Sequence, residues 1–305
     1  MDTVSEGVLE KIKTIFPSED VLIHEPMKHH TTFRVGGDAD CFLRVTQKEQ
    51  IVETVKYLNS ANIPYFVLGN GSNLLVSDKG YRGVILYLGD YQGIEILGNA
   101  VIAKSGTLLS SIAQKVKTEG LTGLEFASGI PGTIGGGVTM NAGAYDGELK
   151  DIITSVEVVN TKGEIRSLDQ KDLEFGYRTS LIKREPLIVL SVSMSLKKGD
   201  ISEIESKMSE FAARRRQKQP LEYPSAGSTF KRPEGYFAGK LIMDAGLRGY
   251  SLGGAQVSEK HCGFVINKGN AKAADIYELM EEVSERVYNK FQVNLEPEVI
   301  MLGEF

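Results

Sequence analysis

The stretch GIPGTIGGGVTMNAGAY, residues 129–145, is the part of the chain that says most about its fold. Six of its seventeen residues are glycine, and none of the seventeen carries a charge. An ordered glycine costs more chain entropy than any other residue, so such a cluster is retained where φ is positive or where something lies against the main chain. The stretch therefore indicates a segment whose bare backbone receives a ligand.

A second glycine-rich segment, VLGNGSNLLVSD at residues 67–78, indicates the same kind of ligand. A turn that is dense in glycine, asparagine and serine directs several backbone N–H groups at one point, and such turns bind phosphate. The alternative interpretation of residues 67–78 is a tight turn that binds no ligand, and the longer glycine cluster at 129–145 argues against it. A dinucleotide fits both segments, with its pyrophosphate on residues 69–73 and its planar parts along residues 129–137.

Neither of the two common phosphate-binding motifs is present. A Rossmann fingerprint requires a third glycine and a following helix, but Leu74 stands at that place and a strand-like run follows it. The run GYFAGKL, residues 235–241, has one residue too few between its glycines for a Walker A loop, and no Ser or Thr follows Lys240.

The composition limits the class of protein. A chain of 305 residues predicts two or three domains, and a net charge of −5 does not favour a nucleic-acid partner. Two cysteines, Cys41 and Cys262, make neither a disulfide framework nor a metal site. No stretch reaches the roughly 18–20 apolar residues of a membrane span, and the first sixteen residues are unlike a signal peptide. We therefore expect a cytoplasmic protein without a membrane span.

Helical and strand patterns predict an α+β fold up to about residue 198, because strands dominate without regular βαβ repetition. Thr46 is the expected N-cap of a helix that turns Ile51, Val55 and Leu58 inward. A new section begins at residues 198–200, which we take as a domain boundary. Four further helices and two hairpins are expected: helices at 1–20, 108–121, 201–218 (apolar stripe Ile201, Ile204, Met208, Phe211) and 273–291, and hairpin turns at 98–99 and 162–163.

Six motifs, taken together and in order, resemble the UDP-N-acetylenolpyruvoylglucosamine reductase family. The resemblance covers residues 22–302 and implies a FAD-binding domain of the vanillyl-alcohol oxidase type at 1–199, made of two α+β subdomains (about 1–88 and 89–199). An α/β substrate-binding domain follows at 200–305, and its last strand returns to the flavin site. The motifs are HTTFRVGG (30–37), LGNGSNLLVSDKGYRGVIL (68–86), GLEFASGIPGTIGGGVTMNAGAY (123–145), GYRTS (176–180), SAGSTFKRP (225–233) and LEPEV (295–299).

The resemblance also implies an activity. The family uses NADPH to reduce non-covalently bound FAD, which reduces the enolpyruvyl ether of UDP-N-acetylglucosamine to UDP-N-acetylmuramate for peptidoglycan synthesis. The partner is then UDP-N-acetylglucosamine enolpyruvate, and a monomer is the default expectation for the oligomeric state. Two alternatives stay open: an oxygen-using flavin oxidase of the same fold, and a nucleotide-sugar sensor without activity. The presence of Ser228, Glu298 and Lys218 argues against both.

Reduction of an enol ether conjugated to a carboxylate requires a hydride at the β-carbon, support for the resulting enolate and a proton at the α-carbon. By resemblance, Ser228 matches the proton donor and Glu298 the catalytic glutamate of the family. Arg178 matches the arginine near the enolpyruvyl group, where a guanidinium holds a carboxylate bidentately. Ser225 and Glu296 are nearby rivals that match less well.

The resemblance implies two sets of binding residues as well. Lys218 matches a lysine that binds substrate phosphate, and Tyr177 is expected to contact the substrate beside Arg178, Ser228 and Glu298. Gly36 is a weaker cofactor candidate. The cofactor is expected to contact Arg34, Gly69, Asn70, Gly71, Ser72, Asn73, Ser128, Gly129, Gly132, Gly135, Gly136, Asn141 and Ala142.

The sequence departs from the family pattern in two places. Arg232 stands where one branch of the family has an asparagine that contacts substrate. That branch also carries a capping loop for which this chain has no room after residues 176–186, so the chain resembles the shorter class. Tyr250 is a candidate to close over the substrate instead, whereas His261 and Cys262 are expected to be structural.

Overall fold

The computed structural model describes residues 4–305, so the first three residues of the predicted leading helix lie outside it. The fold is α+β, as predicted. Among residues 4–305, no helix combines the length and the apolar character that crossing a membrane requires. The described residues form eight α-helices: α1 Glu6–Lys13, α2 Lys48–Ser60, α3 Leu109–Thr118, α4 Ile134–Thr139, α5 Leu181–Arg184, α6 Ile201–Lys218, α7 Ala238–Asp244 and α8 Ala273–Phe291.

The strands are mostly short, and they pair into six small sheets over the described residues. They are β1 Val21–Pro26, β2 Asp38–Arg44, β3 Tyr65–Leu68, β4 Leu74–Val76, β5 Tyr81–Tyr87, β6 Ile94–Leu97, β7 Ala100–Lys104, β8 Leu121–Thr122, β9 Gly143–Ala144, β10 Gly147–Glu148, β11 Ile153–Asn160, β12 Ile165–Asp169, β13 Leu187–Ser195, β14 Lys197–Lys198, β15 Ser251–Leu252, β16 Ala255–Val257, β17 Val265–Asn267 and β18 Ile300–Leu302.

Two larger sheets organise the first part of the chain. A four-stranded sheet has the order β1-β2-β5-β3, with β3 parallel to β5, and α2 buries Ile51, Val55 and Leu58 in its core as predicted. The N-cap of α2 is Gln47 rather than Thr46, because Gln50 accepts hydrogen bonds from the backbone N–H groups of both residues (3.0 Å each).

The second large sheet is antiparallel, with the order β12-β11-β13-β7-β6. Both predicted hairpins are confirmed here: β6 and β7 are joined at Gly98, and β11 and β12 at Gly163, each with positive φ. The helices α3, α4 and α6 contribute buried side chains to the core that includes this sheet.

The chain divides into two compact units that are each discontinuous in sequence. The first contains residues 4–23, 40–70 and 83–215, and the second contains residues 24–39, 71–82 and 216–305. In the second unit, α8 and the strands β15, β16 and β17 share a core, and β18 pairs in parallel with β4.

These units differ from the predicted division at 199/200. Most of α6 belongs to the first unit, because Ile204, Met208 and Phe211 are buried in the core of the five-stranded sheet. Ile201, at the first turn of α6, is exposed, in contrast to the predicted stripe. The boundary between the two predicted subdomains, expected near residue 88, lies along the chain between β5 of the four-stranded sheet and β6 of the five-stranded sheet. The assignment of residues 1–199 and 200–305 to cofactor and substrate stays a prediction.

Candidate functional site

The glycine-rich segment turns into a helix in its second half. Thr133 is the N-cap of α4, and its Oγ1 accepts a hydrogen bond from the backbone N–H of Gly136 (3.3 Å). Before the cap, Ser128 donates to the carbonyl of Glu125 (2.8 Å), and the carbonyl of Gly132 accepts from the N–H of Leu109 (3.0 Å). The first half of the segment is therefore anchored to the protein up to the start of α4 and is not an open loop.

Within the first unit, the two predicted cofactor segments touch each other. A Cβ on Gly69 would lie 2.5 Å from Thr133 Oγ1, so only glycine allows this approach. The side-chain amide of Asn70 donates to the carbonyl of Pro131 (2.6 Å). The residues expected at the two ends of one dinucleotide thus belong to one continuous surface.

The glycines of the longer segment serve two different purposes. A Cβ on Gly135 would lie 2.8 Å from the Cβ of Ser105, so this residue is required by packing. Gly136 is exposed, and the atom nearest to its Cβ position is 3.6 Å away, so a ligand has room there. Gly129 is exposed as well. The bare backbone at Gly129 and Gly136 fits the planar cofactor that the sequence predicts.

The rest of the first segment lies in the second unit. Gly71 has a φ of +59°, and a Cβ there would lie 1.9 Å from the carbonyl oxygen of His30, so no other residue fits. Ser72 is partly exposed. The side-chain amide of Asn73 donates to the carbonyl of Glu298 (3.0 Å), which brings a predicted cofactor residue and a predicted catalytic residue together.

The first motif, HTTFRVGG, forms an open corner of the second unit. Arg34 is exposed and has a φ of +58°. It lines a cavity of about 320 Å³ together with Lys28, His29 and Thr31. A Cβ on Gly36 would lie 2.8 Å from the Cβ of Val76, so this glycine is explained by packing.

Ser228 and Glu298 lie on two extended segments that pair with each other. The N–H of Glu298 donates to the carbonyl of Thr229 (2.8 Å), and Phe230 forms an antiparallel bridge with Pro297. Ser228 is exposed, whereas Thr229 is buried and its Oγ1 accepts from the N–H of Val265 (2.8 Å). The structure therefore brings the predicted proton donor and the predicted glutamate onto two adjoining segments.

The two rivals are placed differently. Glu296 is exposed and forms an ion pair with Lys231, whereas Glu298 is partly buried. Ser225 is partly buried, three residues before Ser228.

Arg178 lies in a tight reversal in the first unit. Gly176 and Thr179 form a bridge around it, and Arg178 has a φ of +54°. Its Nη2 donates to the carbonyl of Gly143 (3.3 Å), and its guanidinium lies over the ring of the exposed Tyr177 (5.1 Å to the centroid). The substrate candidates Tyr177 and Arg178 are thus held beside the end of the glycine-rich segment.

Asn141 and Ala142, two of the predicted cofactor residues, pack inside the first unit. Asn141 is fully buried, and its amide makes hydrogen bonds inside the protein. Ala142 is partly buried and packs against the core of the five-stranded sheet. The geometry gives the Asn141 side chain a role within the protein.

Sequence analysis missed Arg215, which lies in the basic run at 214–218. Its Cδ lies 3.3 Å from the Cβ position of Gly129, and burial lowers the pKa of its guanidinium. One turn earlier, Phe211 stacks on Tyr145 (4.4 Å between centroids). The sequence feature that could have pointed to Arg215 is its i, i+4 spacing from Phe211, because this spacing puts both side chains on one face of α6.

The remaining candidates lie in the second unit. Lys218, the last residue of α6, is exposed, and the guanidinium of Arg232 stacks on Phe237 (3.9 Å to the centroid). Tyr250 does not reach into an open space, because its hydroxyl donates to Glu282 (3.2 Å) and accepts from Arg286 (3.1 Å).

His261, Cys262 and Cys41 are buried or partly buried side chains. Burial lowers the pKa of His261, the charge of Lys218 lowers it further, and its Nδ1 accepts from the N–H of Gly263 (3.1 Å). Burial raises the pKa of Cys262, and burial with the nearby Asp40 raises that of Cys41 to about 12. Residues 4–305 contain no group of His, Cys, Asp and Glu side chains that could hold a metal ion.

The chain is similar to known proteins over nearly its whole length. A family model described as the C-terminal domain of UDP-N-acetylenolpyruvoylglucosamine reductase matches residues 219–302, and a FAD-binding domain model matches residues 39–169. The curated UDP-N-acetylenolpyruvoylglucosamine reductase of Caldanaerobacter subterraneus is 48% identical over 301 residues, 99% of this chain and 100% of that protein. That of Clostridioides difficile is 49% identical over 301 residues, 98% of this chain and 99% of that protein.

Solved structures extend the comparison. The UDP-N-acetylenolpyruvylglucosamine reductase of Thermus caldophilus is 36% identical, with a TM-score of 0.79 over 93% of this chain and 98% of that one. A variant of Phl p 4, a glucose oxidase, is 14% identical, with a TM-score of 0.52 over 66% of this chain and 45% of that one. This second likeness concerns the fold alone.

Proposed function

Because the chain belongs to the UDP-N-acetylenolpyruvoylglucosamine reductase family, we propose here which of its residues carry out the reaction of that family. The protein is an FAD- and NADPH-dependent oxidoreductase that reduces the enolpyruvyl ether of UDP-N-acetylglucosamine in peptidoglycan precursor synthesis. We place the reaction in the cytoplasm, because no described helix crosses a membrane and NADPH is an intracellular reductant.

The cofactor is held by backbone more than by side chains. Bound FAD would supply the hydride for the β-carbon of the enolpyruvyl group, with NADPH as the reductant that replenishes it. Gly129 and Gly136 offer exposed backbone against which a flat ring system can lie, and Gly69 with Asn70 joins this surface. Ser72, Gly132 and Arg34 complete the proposed set, and the guanidinium of Arg215 beside Gly129 adds a positive charge.

Ser228 supplies the proton. The hydride addition leaves an electron pair on the α-carbon, and the Ser228 hydroxyl transfers its proton to that carbon. A serine hydroxyl is a weak acid, so its alkoxide must be neutralised. Glu298 lies on the segment that pairs with Thr229 and Phe230, so we assign to its carboxyl the return of a proton to the Ser228 oxygen.

Arg178 holds the substrate carboxylate. Conjugation delocalises the electron pair into this carboxylate, so a guanidinium that binds it bidentately stabilises the enolate more than the substrate. The ring of Tyr177 lies against the guanidinium of Arg178, so Tyr177 flanks the carboxylate that this guanidinium binds. Lys218 is exposed at the end of α6 and binds the diphosphate as a point charge.

One observation supports this assignment: the backbone pairing between residues 229–231 and 296–298, which carry Ser228 and Glu298 on two adjoining segments. An oxidase that merely returns its electrons to oxygen needs no proton donor of this kind. The structural pairing therefore favours reduction of a carbon–carbon double bond.

Steady-state kinetics of two variants test the substrate roles. Arg178→Lys is expected to lower kcat by about 10²-fold or more, because a point charge does not replace a bidentate clamp on the developing enolate. Lys218→Ala is expected to act mainly on KM, by about tenfold, because the diphosphate does not change during the reaction. A Lys218→Ala variant with native KM, or an Arg178→Lys variant with native kcat, would remove that residue from the site.

A further inference from the structure

The turn that carries Arg178, residues 176–180, has a backbone conformation that needs outside support. Gly176 N–H donates to the carbonyl of Thr179 (3.1 Å), and Arg178 at its apex has a φ of +54°. A residue other than glycine adopts this region at a cost, and it persists only where surrounding contacts determine it. The direction of the Arg178 side chain therefore depends on the contacts around this turn.

Three side-chain hydrogen bonds join this turn to residues 139–143. The Asn141 amide donates to the carbonyl of Gly176 (3.1 Å), and the Ser180 hydroxyl donates to the carbonyl of Thr139 (3.0 Å). Arg178 itself donates to the carbonyl of Gly143 (3.3 Å). The arginine is thus mounted on the last residues of the glycine-rich segment.

The side chain of Asn141 has its orientation fixed by its partners. Its Oδ1 accepts from the backbone N–H of Lys150 (3.1 Å), which is only a donor, so the Nδ2 must face the carbonyl of Gly176. The same Nδ2 donates to Glu148 Oε2 (3.2 Å). Asn141 is fully buried and has a φ of +43°, which asparagine tolerates better than most residues.

We infer that Asn141 is a positioning residue that holds the Arg178 turn on the end of the flavin segment. Its effect on catalysis then passes through Arg178 alone and not through contact with the flavin. The segment that supports the cofactor and the arginine that binds the substrate carboxylate are thereby built into one rigid corner. This inference rests on the proposed role of Arg178.

Two substitutions of Asn141 test the role of its side-chain amide: one replaces the amide by a carboxylate, and the other removes the side chain. Asn141→Asp keeps the shape and the left-handed backbone but places a carboxylate oxygen against the Gly176 carbonyl and the Glu148 carboxylate. Asn141→Gly relieves the backbone and removes the side chain. Asn160→Ala is the matched control, because Asn160 also holds a turn, accepting from Lys162 N–H (2.9 Å) and Glu164 N–H (3.0 Å) in the β11–β12 hairpin.

The experiment measures the two half-reactions separately, in stopped flow without oxygen. NADPH bleaches the bound flavin, and UDP-N-acetylglucosamine enolpyruvate then restores its colour. Both Asn141 variants are expected to keep FAD and to be bleached within about twofold of the native rate. Their reoxidation by the substrate is expected to slow by about 10–100-fold, the usual effect of an ångström-scale misplacement. Asn160→Ala is expected to match the native protein in both steps.

A double-mutant cycle with Arg178→Ala decides the route of the effect. In the Arg178→Ala variant, the added substitution Asn141→Asp is expected to cause no further slowing of flavin reoxidation by the substrate. Multiplied losses in the double variant, equal slowing of both half-reactions, or loss of FAD from both Asn141 variants would overturn the inference. The Arg178→Ala variant alone tests the proposed function: if it is reoxidised at the native rate, the role of Arg178 has failed, whatever Asn141 does.

Discussion

At the residue scale, the glycines of the two cofactor segments fall into two groups. Gly69, Gly71 and Gly135 leave no space for a Cβ, whereas Gly129 and Gly136 present exposed backbone. The composition of the segments predicted that a ligand lies there. It did not predict which glycine packs and which faces the ligand, because that depends on distant neighbours such as Thr133.

Replacing Gly71 by alanine tests the packing group. The new Cβ would lie 1.9 Å from the carbonyl oxygen of His30, and φ is +59°, so we expect a loss of about 3 kcal/mol or more in the free energy of unfolding. Gly98→Ala is the control, since Gly98 has a φ of +66° and nothing within 4 Å, and about 1 kcal/mol is expected. Urea denaturation measures both, and equal losses would contradict the steric argument.

Replacing Ser228 by alanine tests the proton donor. The variant is expected to keep FAD and to be bleached by NADPH at the native rate. Its reoxidation by the enolpyruvyl substrate is expected to fall by about 10²–10⁴-fold, the usual contribution of a positioned acid. Ser225→Ala serves as the control with native behaviour. Normal turnover of Ser228→Ala would show that another group delivers the proton.

The two buried thiols predict slow labelling of the folded chain. Burial, with Asp40 nearby, raises the pKa of Cys41 to about 12, and burial also raises that of Cys262. Because only the thiolate is nucleophilic, a disulfide reagent at about pH 8 is expected to label neither cysteine until the protein is denatured. In the unfolded chain Cys41 ionises near pH ~8.5, so its contribution to stability is lost as the pH rises from there towards 12.

At the element scale, local sequence patterns predicted which helices and hairpins form better than they predicted the residues at which a helix begins. The turns at Gly98 and Gly163 and the helix α2 follow from local patterns of turn residues and apolar spacing. The start of α2 was missed because Gln50 caps it from inside the helix, a contact that the residue type alone does not reveal. The sequence also did not predict that Phe211 stacks on Tyr145 and that Arg215 lies beside Gly129, because both partners are distant along the chain.

Truncating Phe211 tests this placement of α6. Phe211 is buried and stacks on Tyr145, so Phe211→Ala is expected to lower the free energy of unfolding by about 3–5 kcal/mol and to weaken FAD binding. Ile201→Ala in the same helix is the control, because Ile201 is 48% exposed and its loss is expected to cost under about 0.5 kcal/mol. Flavin fluorescence during titration measures the affinity. Unchanged affinity would show that α6 does not support the flavin segment.

At the scale of the whole molecule, the division into units could not be obtained from the sequence. Residues 24–39 and 71–82 join the C-terminal unit through pairings such as β4 with β18, which are more than two hundred residues apart. Composition changes only near residue 200, where the predicted boundary was placed. The order of six motifs nevertheless predicted the family, because each motif is a local stretch of sequence that can be recognised without knowing its neighbours in space.

The central claim is that one polypeptide passes electrons from NADPH to an enolpyruvyl ether, and a visible spectrum without oxygen tests it most directly. The purified protein with FAD receives NADPH first and UDP-N-acetylglucosamine enolpyruvate second. We expect the yellow colour to bleach and then to return in proportion to the substrate added. If the colour bleaches and only oxygen restores it, the flavin site stands and the assigned substrate is contradicted.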